Sequence, residues 1–511
     1  MMSLLCTLLG WLRGPGWRGH LLALVAGTLT TLSFTPFDLW PLGLISIALL
    51  YQGVRQLEGR QALWRGWCWG LGLFLSGVSW VYISIHVHGS APPPLAALLT
   101  GGLVAGLALI PALTIWLWVR WLRPNRAPWT ACLGFAALWV GQEFFRSWFL
   151  TGFPWLYQGY AHTDTWLAGW APLGGVWLLS FLTVFTACLC SEWTLWRRPA
   201  HGLLAGTLLI SVWGGGALLA QVEWTRPTGE PLSVAMVQAD IEQSRKWDPA
   251  HIDYTLATYR NMSYALPANT DIIVWPETAV PVLSSSALPF VQGIAANLAQ
   301  QGTTLITGIP VDQVDEEGQL RIYNGIMVAG DKPNHYLKHK LVPFGEYVPL
   351  EDVLRGLIAF FDLPMSNFSR GPLQQEPLYA ADHSLAPFIC YETVYPDFAA
   401  RLAARSDLLI TISNDSWFGK SIGPLQHLQM ARMRALESGR EMIRGTNNGV
   451  TALIDYQGRI TTRIPQFQQL TLRGQVQPRE GLTPWLRWGN WPLGSVMGVA
   501  LLLCLAKRRY D

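Results

Sequence analysis

The stretch Ala386-Pro387-Phe388-Ile389-Cys390-Tyr391-Glu392 decides how the chain reads. It has the apolar character of a buried strand, and it ends in a thiol with a carboxylate two residues on. The chain has seven cysteines. Cys6, Cys68, Cys132, Cys188, Cys190 and Cys504 lie in apolar, membrane-like runs, so Cys390 has no disulfide partner in the polar half. A lone thiol at a strand end is either a small buried hydrophobe or a nucleophile. The residues around it must separate the two.

Working outward, charge density divides the chain. Half of its 511 residues are hydrophobic, 14% are charged, and 27 are tryptophan. That is too apolar for a soluble globule of this length. Up to about Gln221 the sequence is almost continuously apolar. From Pro231 to Pro478 it has the make-up of a soluble α/β domain, and a last apolar run closes it. The formal charge of +3 is small, and no basic stripe is interleaved with aromatics, which excludes a nucleic-acid partner.

Candidate membrane spans are His20 to Phe34, Leu39 to Tyr51, Gly66 to Ile85, Leu95 to Val119, Thr130 to Leu150, Trp166 to Cys190 and Leu203 to Gln221. An eighth runs from Trp491 to Ala506, within 488–506. The first two are short and have a second reading, a re-entrant hairpin turning at Pro36. Arg55, Arg60 and Arg65 follow the second span, and Arg120, Arg123 and Arg126 the fourth. Arg197 and Arg198 follow the sixth, and Lys507, Arg508 and Arg509 the last. The other short connections carry no Lys or Arg. The positive-inside rule puts the basic connections in the cytoplasm. The expected order is then a cytoplasmic segment 1–19, seven spans in 20–221, a domain 231–478 on the outer face, an eighth span and a cytoplasmic tail 507–511. The N-terminus lacks a basic n-region followed by a small-residue cleavage site, so the first span reads as retained.

Glu143 and Arg146 lie inside the fifth apolar run, where a charge costs about 2.5–3.5 kcal/mol on the mild scales. They read either as a mutual ion pair or as a site for a polar lipid head. Gly214-Gly215-Gly216 reads as close helix packing, since no strand precedes it and no lysine follows.

In the polar half, short β-branched runs alternate with amphipathic stretches, which predicts a layered α/β domain. Expected strands include Ser233 to Gln238, Asp271 to Trp275, Thr304 to Gly308, Asn324 to Val328, Phe388 to Cys390, Leu408 to Ile412 and Thr451 to Ile454. Expected helices are Ala250 to Met262, Phe290 to Gln300 and Leu425 to Glu441. Glu277 follows Ile273-Val274-Trp275-Pro276. Lys338 opens the run Lys338-His339-Lys340-Leu341-Val342-Pro343-Phe344-Gly345-Glu346. A thiol needs a base and a carboxylate can serve; an oxyanion needs a positive donor and a lysine can serve.

Glu277, Lys338 and Cys390, in that order and context, resemble the Glu–Lys–Cys triad of the nitrilase superfamily. With apolar spans on both sides, nearly the whole chain resembles the apolipoprotein N-acyltransferase family. The motifs are Trp275-Pro276-Glu277, Leu341-Val342-Pro343-Phe344-Gly345-Glu346, Ile389-Cys390-Tyr391-Glu392 and Ser413-Asn414-Asp415-Ser416-Trp417-Phe418-Gly419. Gln243-Ser244-Arg245-Lys246-Trp247-Asp248 also fits, with Trp247 at the family's functionally important tryptophan.

The resemblance implies a multi-pass α-helical membrane domain plus a nitrilase-like αββα sandwich on the periplasmic side of a bacterial inner membrane. It implies acyl transfer without a cofactor or metal. The donor would be a phospholipid, typically the sn-1 chain of phosphatidylethanolamine. The acceptor would be the α-amino group of an apolipoprotein's diacylglyceryl cysteine, and the enzyme would be a monomer. Glu277 would be the base, Cys390 the nucleophile, and Lys338 with the Tyr391 N–H the oxyanion donors. Glu346 would orient Lys338, and Glu392 reads either as a similar support or as an ion pair with no catalytic part.

Val353 to Leu363, with Phe360 and Phe361, reads either as a lid lying on lipid or as an ordinary helix packed on the sheet. Gly419-Lys420-Ser421-Ile422-Gly423 matches the serine-hydrolase elbow pattern but lacks the strand that must precede it. His335 and His339 lack a third ligand for catalytic zinc. A membrane-tethered amidase using water as acceptor, and a transporter or scaffold with an inert domain, are the competing functions. Eight spans argue against the first, and an intact triad argues against the second.

Overall fold

The computed structural model describes residues 10–124, 127–330, 332–347 and 367–508. Residues 353–363, where the lid reading falls, lie outside the described residues. The chain divides into two compact units. One comprises residues 1–82, 93–222 and 488–511, the other 83–92 and 223–487.

The first unit is helical. A helix lies at each of the eight apolar positions: Trp17–Thr31, Pro41–Val54, Gly59–Gly77, Pro93–Leu117, Pro128–Arg146, Ala171–Ser191, Pro199–Leu219 and Trp491–Arg508. Trp17–Thr31 and Pro41–Val54 are two helices on either side of Pro36, an arrangement that both readings of this segment share. Among the described residues, four helical segments are long and apolar enough to cross a membrane, or five if the bent pair Gly59–Gly77 and Val81–His88 counts as one span.

With little hydrophobic effect to drive helices together in lipid, close backbone approach does the work. A Cβ on Gly27 would sit 1.9 Å from the Trp69 carbonyl oxygen, and one on Gly216 would sit 2.2 Å from that of Trp166. Gly214, by contrast, faces open space.

Glu143 and Arg146 are both buried and both serve the loop that follows their helix. Glu143 Oε1 accepts from the Gln158 N–H at 2.9 Å and from Trp139 Nε1 at 3.2 Å. Arg146 Nη1 donates to the Trp155 carbonyl at 3.0 Å, and its guanidinium lies over Phe74 and Tyr157. Their charges are thus used on backbone groups and ring faces inside the unit.

Among the described residues the second unit holds a two-stranded pairing of Arg226–Pro227 with Arg479–Glu480 and two six-stranded sheets. The strands of the six-stranded sheets are β1 Leu232–Gln238, β2 Ile272–Val274, β3 Thr304–Val314, β4 Leu320–Ala329, β5 Asn334–Leu337 and β6 Leu378–Ala380. They continue with β7 His383–Ile389, β8 Leu408–Ser413, β9 Met442–Thr446, β10 Ala452–Ile454, β11 Ile460–Arg463 and β12 Leu470–Val476. The orders are β12-β1-β2-β3-β4-β5 and β11-β10-β9-β8-β7-β6. Each sheet has a parallel centre, β1-β2-β3 in one and β7-β8-β9 in the other, with antiparallel edges.

The alternation of strand side chains builds the layers. Val234, Met236, Ile272, Val274 and Ile306 pack in one core with Ile389, Leu408, Ile410, Ile412 and Ile443, which is the inter-sheet layer. Ala235, Val237, Ile273, Trp275 and Leu305 point the other way, onto Tyr259, Val291, Ile294 and Leu298 of the helices Pro249–Tyr264 and Ser284–Ala299. Helices Pro396–Ala403 and Gly423–Ser438 meet Phe388 and Leu409 on the outer side of the second sheet. This is an αββα sandwich.

Several boundaries differ from expectation: the helix expected from Phe290 starts at Ser284, and the strand expected to end at Gly308 runs on to Val314. The helix expected to run to Glu441 stops at Ser438, because Gly439 takes φ +64 as a left-handed cap. The strand expected to include Cys390 stops at Ile389. Cys390 has φ +50 and opens a 3-10 turn, Cys390–Val394.

Candidate active site

The polar residues singled out in the sequence gather where strands end. Glu277 lies three residues beyond β2, Lys338 one beyond β5, and Cys390 one beyond β7. The turn carrying Glu277 needs Gly308 beside it: a Cβ there would meet the Pro276 oxygen and the Thr278 nitrogen at 2.5 Å.

Lys338 is buried, and its Nζ donates to Glu346 Oε1 at 2.8 Å and to Glu277 Oε1 at 3.3 Å. Burial pulls its pKa down, but the Glu346 and Glu277 carboxylates outweigh that and hold it above the usual lysine range. It is therefore an ammonium at any physiological pH. Glu277 Oε2 accepts from the Asn414 N–H at 2.8 Å, and Glu346 Oε2 from the Val342 N–H at 2.9 Å. Between the two carboxylates sits Asn324, whose Nδ2 donates to Glu277 Oε1 at 2.8 Å and Glu346 Oε1 at 2.9 Å.

Burial pushes the Cys390 thiol up, the Glu277 charge adds to that, and Lys338 opposes it; the net shift is upward. The sulfur thus shares one electrostatic environment with both groups and keeps its proton at neutral pH. A left-handed backbone at a residue other than glycine costs roughly 1–2 kcal/mol. Such strain survives only where the surroundings hold it. Glu392, fully buried, is one such hold. Its Oε2 accepts from the Ile389 N–H at 2.9 Å. Its Oε1 accepts from Tyr336 Oη and the His339 N–H at 2.8 Å each, and from the Lys340 N–H at 3.0 Å. One carboxylate thereby ties the Cys390 turn to the Lys338 strand. Burial pushes its pKa up to about 7, against those donors.

Trp247 caps the short helix Gln243–Lys246. Its indole Nε1 is buried and has no hydrogen-bond partner among the described residues. The preceding Lys246 is buried and donates from Nζ to the Glu277 carbonyl oxygen at 2.8 Å. Tyr391 stands edge-on to the Tyr395 ring.

Asn324, His427 and Arg444 escaped the sequence reading, and Lys246 entered it only as one residue of the run Gln243 to Asp248. Asn324 was visible only as one residue of a strand, and no spacing joins His427 or Arg444 to Cys390. His427 Nε2 lies 3.1 Å from the Cys390 carbonyl oxygen, and its Nδ1 lies 3.1 Å from Asp415 Oδ1. Arg444 Nη2 donates to Asp415 Oδ2 at 2.9 Å. Cys390, Asp415 and His427 place ligand-type atoms within 4.8 Å of one another. This set does not fit a metal ion. A carbonyl only accepts, so Nε2 carries a proton there. Asp415 is already taken by Arg444, His427 and Ser413.

His335 and His339, four apart in sequence, do not share a helix face. His335 lies on β5, and His339 follows it with Nδ1 2.7 Å from the Gly371 oxygen. The strand before Ser421 ends at Ser413, eight residues earlier, so the elbow geometry is missing.

A buried carboxylate, an ammonium and a thiol at the strand ends of an αββα sandwich define the carbon–nitrogen hydrolase class, and the carbon–nitrogen hydrolase family model matches residues 233–483. The model of the apolipoprotein N-acyltransferase N-terminal domain matches residues 26–189. Curated apolipoprotein N-acyltransferases align over almost the full length. That of Azotobacter vinelandii is 57% identical over 98% of this chain and 97% of its own. That of Pseudomonas putida is 57% identical over 96% and 97%, and that of Vibrio vulnificus 40% over 95% and 97%. The chain belongs to the apolipoprotein N-acyltransferase family.

Proposed function

We propose that the protein moves a fatty acyl chain from a membrane phospholipid, through a thioester on Cys390, to the α-amino group of an apolipoprotein's S-diacylglyceryl N-terminal cysteine. The observation that carries this is the pairing of Lys338 with Glu277 and Glu346 around a half-buried, protonated thiol whose pKa both Lys338 and Glu277 shift, in a chain whose other unit is apolar helices.

A thiol held above its usual pKa does not attack unaided, so a base must take its proton during attack. Glu277 is that base. Cys390 Sγ bonds to the ester carbonyl carbon, and the oxyanion is held by the Lys338 ammonium and the Tyr391 N–H. The C–O bond then breaks, Glu277 returns the proton to the departing oxygen, and lysophospholipid leaves. The lipoprotein amine attacks the thioester, the C–S bond breaks, and the amine proton passes through Glu277 to the sulfur. Ester becomes amide and the enzyme is restored. Glu346 keeps Lys338 in place, Glu392 fixes the turn, and Trp247 follows Lys246, which holds the Glu277 carbonyl, with an indole N–H that has no partner among the described residues. The donor is typically the sn-1 chain of phosphatidylethanolamine, and no cofactor is needed.

The alternating basic connections support a bacterial inner-membrane protein with seven spans before the catalytic unit and one after, that unit facing the periplasm. It acts as a monomer. The test is the mass of the full-length protein after incubation with phosphatidylethanolamine vesicles. Wild type should gain one acyl mass and Cys390→Ala none. An acyl mass on Cys390→Ala, or a hydrolysed amide with no acyl transfer, overturns the reading.

A further inference from the structure

The nucleophile's backbone is held from both sides. Ahead of it, Glu392 takes the Ile389 N–H. Behind it, the Cys390 carbonyl oxygen faces His427 Nε2 at 3.1 Å. His427 lies on the helix Gly423–Ser438 and Asp415 on the turn after β8, while Arg444 lies on β9. Three successive elements between residues 415 and 446 thus converge behind a single residue. His427, Asp415 and Arg444 are all buried, at 1% exposure or less.

We propose that Arg444, Asp415 and His427 form a positioning relay that holds Cys390 in its left-handed backbone and so aims the sulfur at the substrate carbonyl. The relay rests on the reading of Cys390 as nucleophile. Each link has one job. Arg444 Nη2 donates to Asp415 Oδ2 at 2.9 Å and keeps that carboxylate ionised in the interior. Asp415 Oδ1 lies 3.1 Å from His427 Nδ1 and sets the ring's angle, with Ser413 Oγ donating to the same oxygen at 2.6 Å. Arg444 Nη2 also lies 3.3 Å from His427 Nδ1. His427 then donates from Nε2 to the nucleophile's own carbonyl.

No relay atom touches the reacting bond. Its residues are positioning residues: loss of His427 acts through geometry, while the Asp415 charge also reaches the thiol and adds to its upward shift. Displacing a reacting atom by about 1 Å can cost on the order of 100-fold in rate. Lipid binding, which does not use this carbonyl, is left alone.

The experiment is single-turnover acylation of the full chain by phosphatidylethanolamine vesicles, read by protein mass across lipid concentrations. His427→Leu should lower the limiting acylation rate about 10- to 100-fold, with the half-saturating lipid concentration unchanged. His427→Gln keeps a donor of similar reach and should recover to within about fivefold of wild type, whereas His427→Asn, shorter by one carbon, should not. The Gln and Asn pair is decisive even if His427→Leu does not fold, because the two share polarity and differ only in reach. Equal rates in Gln and Asn, or a wild-type rate in Leu, overturn the relay. Acyl mass on Cys390→Ala would instead overturn the nucleophile assignment itself, so the two failures are told apart.

Discussion

Asn324 donates its side-chain amide to Glu277 over 2.8 Å, and the same nitrogen reaches Glu346 over 2.9 Å. Two buried carboxylates close to one lysine would repel each other without a second donor between them. Asn324→Ala should lower the acylation rate about 10-fold. Asn324→Asp, which adds a third carboxylate, should lower it roughly 100-fold. Initial rates of lysophospholipid release from vesicles measure both; equal losses would argue that Asn324 merely fills space.

Glu346 is the stronger partner of Lys338, at 2.8 Å against 3.3 Å for Glu277. In Glu346→Gln the ammonium has one carboxylate left to hold it, and it should shift onto Glu277 and occupy the base. The expected loss is on the order of 100-fold in kcat with little change in KM. A change confined to KM would place Glu346 in lipid binding instead.

Lys246 is a second buried cation, donating to the carbonyl oxygen of Glu277, the proposed base. Burial pulls its pKa down to about 8, with Glu277 and Cys390 opposing. It is charged below that pH and neutral above it. The acylation rate should therefore decline as pH rises through about 8, as the ammonium on the Glu277 carbonyl loses its charge. Lys246→Arg stays charged throughout and should carry the plateau to higher pH. Coincident profiles for the two proteins would assign the decline to another group.

Asp415 is held down to about 2: burial opposes ionisation, but Arg444 and His427 outweigh it. A carboxylate whose folded pKa lies below its unfolded value stabilises the fold above the unfolded pKa and loses that contribution as pH falls through the folded one. Between about pH 4 and pH 2 the catalytic unit should lose on the order of 2 kcal/mol from this group. Thermal unfolding of the detergent-solubilised chain across that range would show the drop. In Arg444→Met, where the main opposing charge is gone, it should begin at higher pH.

Ser421 sits in a turn, where its Oγ accepts from the Gly423 N–H at 3.1 Å. Ser421→Ala should transfer acyl chains within about twofold of wild type, as surface changes away from a site usually do. Loss of activity there with Cys390→Ala still active would move the nucleophile.

Sequence alone carried the division into apolar and polar halves, the helix positions, the strand alternation of the sandwich, and Glu277, Lys338 and Cys390. These follow from local rules, namely hydropathy, period and motif, that act over a few residues. Tertiary structure decided that Asn324 lies between two carboxylates, that Lys246 holds the Glu277 carbonyl, and that His427 and Arg444 converge behind Cys390. It also moved Cys390 off the end of its strand into a left-handed turn. A hydrogen bond between residues 37 positions apart, as between His427 and Cys390, depends on where two separate elements dock. Docking is set by the burial of their apolar faces, and those faces do not encode which polar side chain will meet which carbonyl.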